Sequence, residues 1–381
     1  MLVGLLLQAA LAAPAGPRPG FAGVLFDPLV RDGMRRGVYP GAALVIGRRD
    51  TILYSQGYGH LTWSPASPAV VPESTLYDLA SLTKAVATTT ALMLLVERGK
   101  VQLDAPVARY LPECPGPAAT GISVRQLLTH TSGLRATLPL YRDARDAADA
   151  LRLVCAATPI ARPGTRVLYS DLNAILLGEI VRHATGEPLD RFAAREVLAP
   201  LGLTQTMFRP PVPLRRRIAP TGVWRGHPVA GVVNDQNAAT LGGVAGHAGL
   251  FSTAADLARF AQFVLRQGAL PDGRALVRAE TVRLFTTKAA DFGRGTEART
   301  LGWQAVPTGE RVSSAGTLFG PRSFGHTGWT GTSLWIDPDR DLFVVLLTNR
   351  AYAPRTRRSF TFLKAVRGSV ADAAARASDG R

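Results

Sequence analysis

The sequence predicts an α/β fold of the α+β kind: one sheet assembled from both ends of the chain, with a helical region inserted between its halves. Three observations lead there. Short apolar, strand-like segments occur near the start, at residues 42–47 and 51–55, and return near the end, at 300–306, 331–337 and 342–347. Between about residues 106 and 200 the apolar spacing is mainly helical. No internal repeat interrupts this arrangement.

The elements follow in order. The first two strands flank Arg48-Arg49-Asp50, a hairpin turn. Residues 82–96 form a long apolar run that reads as a buried helix, and Ser81-Leu82-Thr83-Lys84 opens it. Residues 123–129 read as a short helix ending at Thr131-Ser132-Gly133. Residues 144–156, 172–183 and 189–198 are helical, the last two separated by Gly186 and Pro188. A glycine-rich stretch covers 222–249, and residues 251–267 form a further helix capped by Ser252 or Thr253. Pro338-Asp339-Arg340-Asp341 turns the chain between the last two strands, and residues 361–377 close it as a helix. The organisation read from this is a leader and linker over 1–20 and one domain over 21–381. Its sheet region spans about 21–105 and 250–381, its helical region about 106–249, and a cleft between them is a natural place for a site.

Composition bounds the function. At 381 residues and 46% hydrophobic, the chain buries a sizeable core. The net charge of +16 fits either an anionic partner or an arginine-rich solvated surface. Nucleic acid is not expected as a partner: there is no zinc-finger spacing and no basic-aromatic repeat, and the arginines scatter apart from Arg215-Arg216-Arg217 and Arg355, Arg357 and Arg358. Residues 1–13 are apolar and end in Ala10-Leu11-Ala12, which reads as a signal peptide and an exported, periplasmic or secreted protein. No basic residue precedes that apolar core, so a misplaced start or a disordered extension and a cytoplasmic protein stay open. After it no apolar run approaches the ~18 residues of a membrane span. Cys114 and Cys155 either pair in an oxidising compartment or remain two buried thiols. The six histidines have no His-Glu-x-x-His spacing, so no metal or cofactor is expected.

Ser81 and Lys84, three apart, share one helix face. A serine hydroxyl needs a proton acceptor to attack a carbonyl. Arginine cannot serve as one, whereas a buried lysine can, and this chain has only four lysines, Lys84, Lys100, Lys288 and Lys364. In isolation the tetrad also fits an N-cap serine with a snorkelling lysine. Tyr169-Ser170-Asp171, followed by Asn173, could relay a proton if a nearby lysine lowers the phenol pKa; alone, such a tyrosine is a core residue. In His326-Thr327-Gly328 the glycine would let a substrate approach the strand edge, and His326 and Thr327 would bind a polar or anionic group. The N–H groups of Trp329 and Ser81 would then hold an oxyanion. The bland reading is a strand-entry turn. His247, in the glycine-rich stretch, either lines the cleft or sits satisfied in a structural loop. No Gly-x-Ser-x-Gly elbow is present.

Taken in order, these three elements resemble the serine β-lactamase and penicillin-binding-protein superfamily, on the side of class C β-lactamases, D-alanyl-D-alanine carboxypeptidases and related esterases. The likeness runs over about residues 40–350, with Leu127-Leu128-Thr129-His130-Thr131-Ser132-Gly133-Leu134 and Pro163-Gly164 in support. It implies a β-lactamase/transpeptidase-like antiparallel sheet flanked by helices. It also implies Ser81 as acylated nucleophile, Lys84 and Tyr169 as acid and base, and Ser81 and Trp329 as oxyanion donors. Asp171, Asn173, His247, His326, Thr327 and Gly328 would bind substrate. The expected partner is a small molecule or peptide, peptidoglycan-derived in part of the family, and the expected state a monomer. Two departures stand out: Asp171 where the family's second motif ends in asparagine, and His326 where class C β-lactamases have lysine. Residues 234–252 resemble a subgroup with cell-wall-recycling amidases. The reading is a serine hydrolase of an ester or amide; the alternatives are a penicillin-binding or sensor protein that acylates with little turnover, or a weak β-lactamase.

Overall fold

The computed structural model describes residues 21, 23–293, 297–306, 313–354, 357 and 359–380. The leader and linker expected over 1–20, and Arg355 and Arg358, lie outside the described residues.

The strands in chain order are β1 (Gly41–Arg48), β2 (Thr51–Gly59), β3 (Tyr77–Asp78), β4 (Met207–Phe208), β5 (Gly222–Trp224), β6 (His227–Val229), β7 (Leu250–Ser252), β8 (Gln304–Ala305), β9 (Phe324–Thr327), β10 (Ser333–Asp337) and β11 (Leu342–Thr348). The main sheet is antiparallel, in the order β2-β1-β11-β10-β9-β8. Strands from the two chain ends meet at its centre, where Val45 pairs with Val345. β1 and β11 are buried almost throughout because helices cover both faces. Alternate side chains therefore feed two cores. Ala43, Val45, Phe343, Val345 and Leu347 join the larger one, with the Ala254–Leu265 helix. Ala42, Leu44, Ile46, Leu342, Val344 and Leu346 join the smaller, under the Gly23–Arg35 and Phe360–Ser378 helices. Each of the larger side chains among these contributes about 1.5–3 kcal/mol when fully buried.

Several elements differ from expectation for identifiable reasons. β2 runs on to Gly59 through two glycines; a Cβ on Gly57 would lie 1.9 Å from the Val70 carbonyl oxygen, so the residue that reads as a breaker is a packing requirement. The 82–96 helix begins as a π-turn, Lys84–Thr89, before the α-helical Thr90–Glu97. Phe251 belongs to β7, and the next helix starts only at Ala254, capped by the Thr253 hydroxyl. The strand expected over 300–306 shrinks to β8. The Gly23–Arg35 helix escapes sequence reading because Pro28 stands inside it.

Cys114 and Cys155 form a disulfide across 41 positions, which ties the Pro117–Thr120 segment to the Ala147–Cys155 helix. Loop-closure entropy for that separation is about 4 kcal/mol. The Cys114→Ser/Cys155→Ser variant should therefore unfold at distinctly lower denaturant than the wild type, as read from urea midpoints. Equal midpoints would show that the bridge adds nothing. Among the described residues no helix is long and apolar enough to cross a membrane.

Candidate active site

Ser81 sits at the mouth of the π-turn, on a segment held from three sides. Ala80 adopts φ +47°, a left-handed conformation that is costly for a side chain with a Cβ. The Asp78 carboxylate supports it, accepting the Ala80 N–H at 2.8 Å and the Asn234 N–H at 2.7 Å. Burial pushes the Asp78 carboxyl up to about 6, although both N–H donors pull it back. From the other side, the Thr330 hydroxyl donates to the Asp78 carbonyl at 2.7 Å and the Thr332 hydroxyl to the Leu79 carbonyl at 2.9 Å. These bonds pin the β9–β10 connection against the residues leading to Ser81. A Cβ on Gly328 would lie 2.4 Å from the Leu79 oxygen. Gly328 is thus required by this internal packing contact.

The Lys84 ammonium makes two hydrogen bonds and one ion pair. It donates to Ser81 Oγ at 2.9 Å and to the His247 carbonyl at 3.0 Å, and it pairs with Asp171 Oδ1 at 2.7 Å. The Tyr169 hydroxyl reaches the same Ser81 Oγ at 2.9 Å. Sequence spacing brings Ser81 and Lys84 together; the Asp171–Thr185 helix, whose entry carries Tyr169, brings the rest. Burial pulls the lysine pKa down, but Asp171 and Tyr169 outweigh it and the net shift is upward. Burial raises the Tyr169 phenol and Asp171 adds to this, so Lys84 does not succeed in lowering it. Both findings correct expectation: the resting cluster holds an ammonium and a neutral phenol.

The residues expected to bind substrate divide. Asp171 belongs to the lysine's ion pair, not to an amide-recognition surface. Asn173 is fully buried; its Oδ1 accepts from the Ser132 hydroxyl at 2.6 Å and its Nδ2 lies 3.1 Å from His130 Nδ1. It buttresses Tyr169 through the His130 ring, which packs 4.6 Å from the phenol ring. Its amide oxygen and nitrogen both engage protein partners. The His247 ring is buried too, with Nε2 3.1 Å from Asp235 Oδ1; what it offers the cluster is its main-chain carbonyl. Hydrogen bonding and charge from His247 hold the Asp235 carboxyl at about 2 against the opposing effect of burial. The glycines beside it serve packing: a Cβ on Gly246 would meet the Ala174 carbonyl at 1.9 Å. The loop is thus tightly packed, but His247 is not the fully satisfied histidine of the structural alternative: its Nδ1 is buried with no partner among the described residues.

His326 lies on β9, an element not recognised in sequence, with its ring 6.1 Å from that of Tyr169. Burial, with Arg299 and Lys84 nearby, drives its pKa well below 6.5. It is neutral and offers no charge to an anion, contrary to expectation. Its Nδ1–H donates to the Thr327 carbonyl at 2.9 Å, leaving an Nε2 lone pair with no partner among the described residues. Thr327 ends the strand, half-buried. The Trp329 indole is 58% exposed and packs on Phe360 at 4.6 Å, with the Arg350 guanidinium 5.0 Å from its ring. The N–H groups of Ser81 and Trp329 donate to no protein acceptor among the described residues. Sequence reasoning missed Arg299, buried with its guanidinium 5.0 Å from the Tyr169 ring. As one arginine among many it carries no local signal. It also missed Asp78 and the role of Asp235.

This arrangement can activate a hydroxyl, hold an oxyanion and move a proton, which is acyl-transfer chemistry. Comparison with known proteins agrees. The Beta-lactamase family model matches residues 26–366. A putative D-alanyl-D-alanine carboxypeptidase of Escherichia coli (strain K12) is 35% identical over 356 residues, covering 83% of this chain and 80% of that protein. One of Salmonella agona (strain SL483) is 31% identical over 358 residues, with the same coverage. Among solved structures, EstCE1, a hydrolase with promiscuous acyltransferase activity, superposes with TM-score 0.73 at 23% identity, over 92% of this chain and 98% of that one. A class C β-lactamase does so with TM-score 0.71 at 23% identity, over 90% and 95%. At that identity the two structures speak to the fold. The chain belongs to the β-lactamase family of serine hydrolases and is a hydrolase of that type.

Proposed function

We propose that this protein is an exported serine carboxypeptidase that releases D-alanine from peptides ending in D-alanyl-D-alanine, through an acyl-enzyme on Ser81. The observation that carries the reading is the convergence of Lys84 Nζ and Tyr169 OH on Ser81 Oγ, each at 2.9 Å. The carboxypeptidase relatives support the choice of substrate, and the Cys114–Cys155 disulfide supports an oxidising compartment. Loss of one proton from the cluster leaves a Tyr169 phenolate beside the Lys84 ammonium. The phenolate takes the Ser81 proton as Oγ bonds to the scissile carbonyl carbon. The oxyanion is held by the Ser81 and Trp329 N–H groups. Tyr169 then protonates the leaving amine as the C–N bond breaks, and water hydrolyses the ester. Arg299, paired with Glu297 and 5.0 Å from the Tyr169 ring, adds positive potential for the terminal carboxylate, since His326 is neutral.

The test is D-alanine release from Nα,Nε-diacetyl-Lys-D-Ala-D-Ala, together with the intact mass after benzylpenicillin. Steady release and a penicilloyl adduct are expected. An adduct without release would assign a sensor that acylates and stalls. Hydrolysis of p-nitrophenyl esters alone would assign an esterase, and sustained nitrocefin turnover a β-lactamase; each would overturn the carboxypeptidase reading.

A further inference from the structure

A cavity of about 420 Å³ opens beside the β8–β9 end of the sheet, and Ser81, Lys84 and Tyr169 take no part in its wall. Its size lies in the range of small-molecule sites. Arg49, Arg283, Lys288 and Arg322 all stand on its wall. Each has a carboxylate partner: Asp341 at 3.0 Å from Arg49, Glu280 at 2.8 Å from Arg283, Asp291 at 3.2 Å from Lys288, and Asp339 for Arg322. None of those four carboxylates lines the cavity. Among the described residues the lining therefore carries four cationic side chains and no carboxylate. Their exposed ion pairs are weak and exchangeable, so a ligand anion can compete for the cations.

The inner wall points to a ligand independently. Thr300 and Ser323 line the cavity, each about 1% exposed, and the hydroxyl of each lacks a partner among the described residues. Buried hydroxyls rarely remain unsatisfied. Leu265, Ala305 and Phe324 add apolar surface to a lining that also includes Gln267, Thr286 and Thr287. A free inorganic anion would leave that surface unused, and a neutral apolar molecule would leave the cations and hydroxyls unused.

We propose that this cavity is a second ligand site, specific for an organic anion with a compact apolar body: a carboxylate or phosphate head between the arginines and a short acyl or aryl tail against Phe324 and Leu265. It is distinct from the candidate active site but adjoins it. Thr300 follows Arg299, which covers the Tyr169 ring, and Phe324 lies two residues before His326 on β9.

Calorimetric titration of the full chain with octyl phosphate and with octanoate tests this, with inorganic phosphate and neutral octyl glucoside as controls. At least one amphipathic anion should bind at one site per chain, more tightly than either control. Its relative affinity against the other amphipathic anion distinguishes a phosphate from a carboxylate head. The Arg283→Ala/Arg322→Ala variant should weaken binding by about tenfold or more. Thr287→Trp, at an exposed position on the rim, keeps every cation and should block binding by filling the cavity. Because both variants lie outside the acyl-transfer cluster, ester hydrolysis by each serves as the control for folding. Wild-type affinity in Thr287→Trp would mean that surface charge alone attracts the anion. Equal binding of octyl glucoside would mean that the arginines recognise nothing. Either result overturns the proposal.

Discussion

Replacing Ser81 by alanine is expected to lower D-alanine release by about 10⁴-fold or more and to eliminate the penicilloyl adduct. The change deletes the one atom on which the Lys84 amine and the Tyr169 hydroxyl converge. It leaves the Asp171 ion pair, the His247 carbonyl and the oxyanion donors in place. Lys84 loses one of its two hydrogen-bond acceptors but keeps the ion pair, and solvent water can replace the lost one because Ser81 is only half-buried. The variant should therefore unfold close to the wild type. Persistence of an adduct on another serine, or residual release within tenfold of wild type, would remove Ser81 from the mechanism.

A second large effect is expected from Asp171→Asn, read in the pH dependence of kcat/KM. The reactive form of the cluster has lost one proton relative to the resting ammonium and phenol. Asp171 raises the pKa of both Lys84 and Tyr169, so it opposes that loss. Activity in the wild type should accordingly climb with pH on the alkaline side. Removing the carboxylate charge lowers both pKa values, and the rising limb should move to lower pH by about 1–3 units. On the acid side of the limb this is a gain in rate of about ten- to a thousandfold at fixed pH. An unmoved limb would show that Asp171 does not set the proton inventory. A limb that moves upward would reverse the sign of its influence.

These two residues illustrate what was legible in the sequence. The Ser81–Lys84 spacing is a local, helical relation, and the chain's scarcity of lysine marks it. The protonation state of Lys84 is not local. It depends on Asp171 and Tyr169, which reach the amine only because another helix docks there. The strand Leu342–Thr348 announces itself by six successive apolar residues and a following threonine. β9 does not, because Gly325 and Gly328 flank its His326 and mimic a turn; a Cβ on Gly325 would lie 2.4 Å from the Leu334 carbonyl across the strand pair. Asn173 looked available because it follows the Tyr169 motif, but it lies on the face of its helix turned toward Ser132 and His130. Arg299 had no pattern to reveal it.

The pairing of β1 with β11 has a consequence for how this molecule is made. The partner of the first strand leaves the ribosome roughly 300 residues later, which at about 5–20 residues per second is a delay on the order of 15–60 s. For that interval the β1–β2 hairpin has an open hydrogen-bonding edge and two bare apolar faces. The sheet cannot close, and Ser81 cannot acquire the Thr330 and Thr332 braces, until nearly the whole chain has been synthesised. Nascent chains arrested before residue 342 should therefore remain protease-sensitive and dependent on a holding chaperone. Those extended past the Phe360–Ser378 helix should become resistant together, in a single late step.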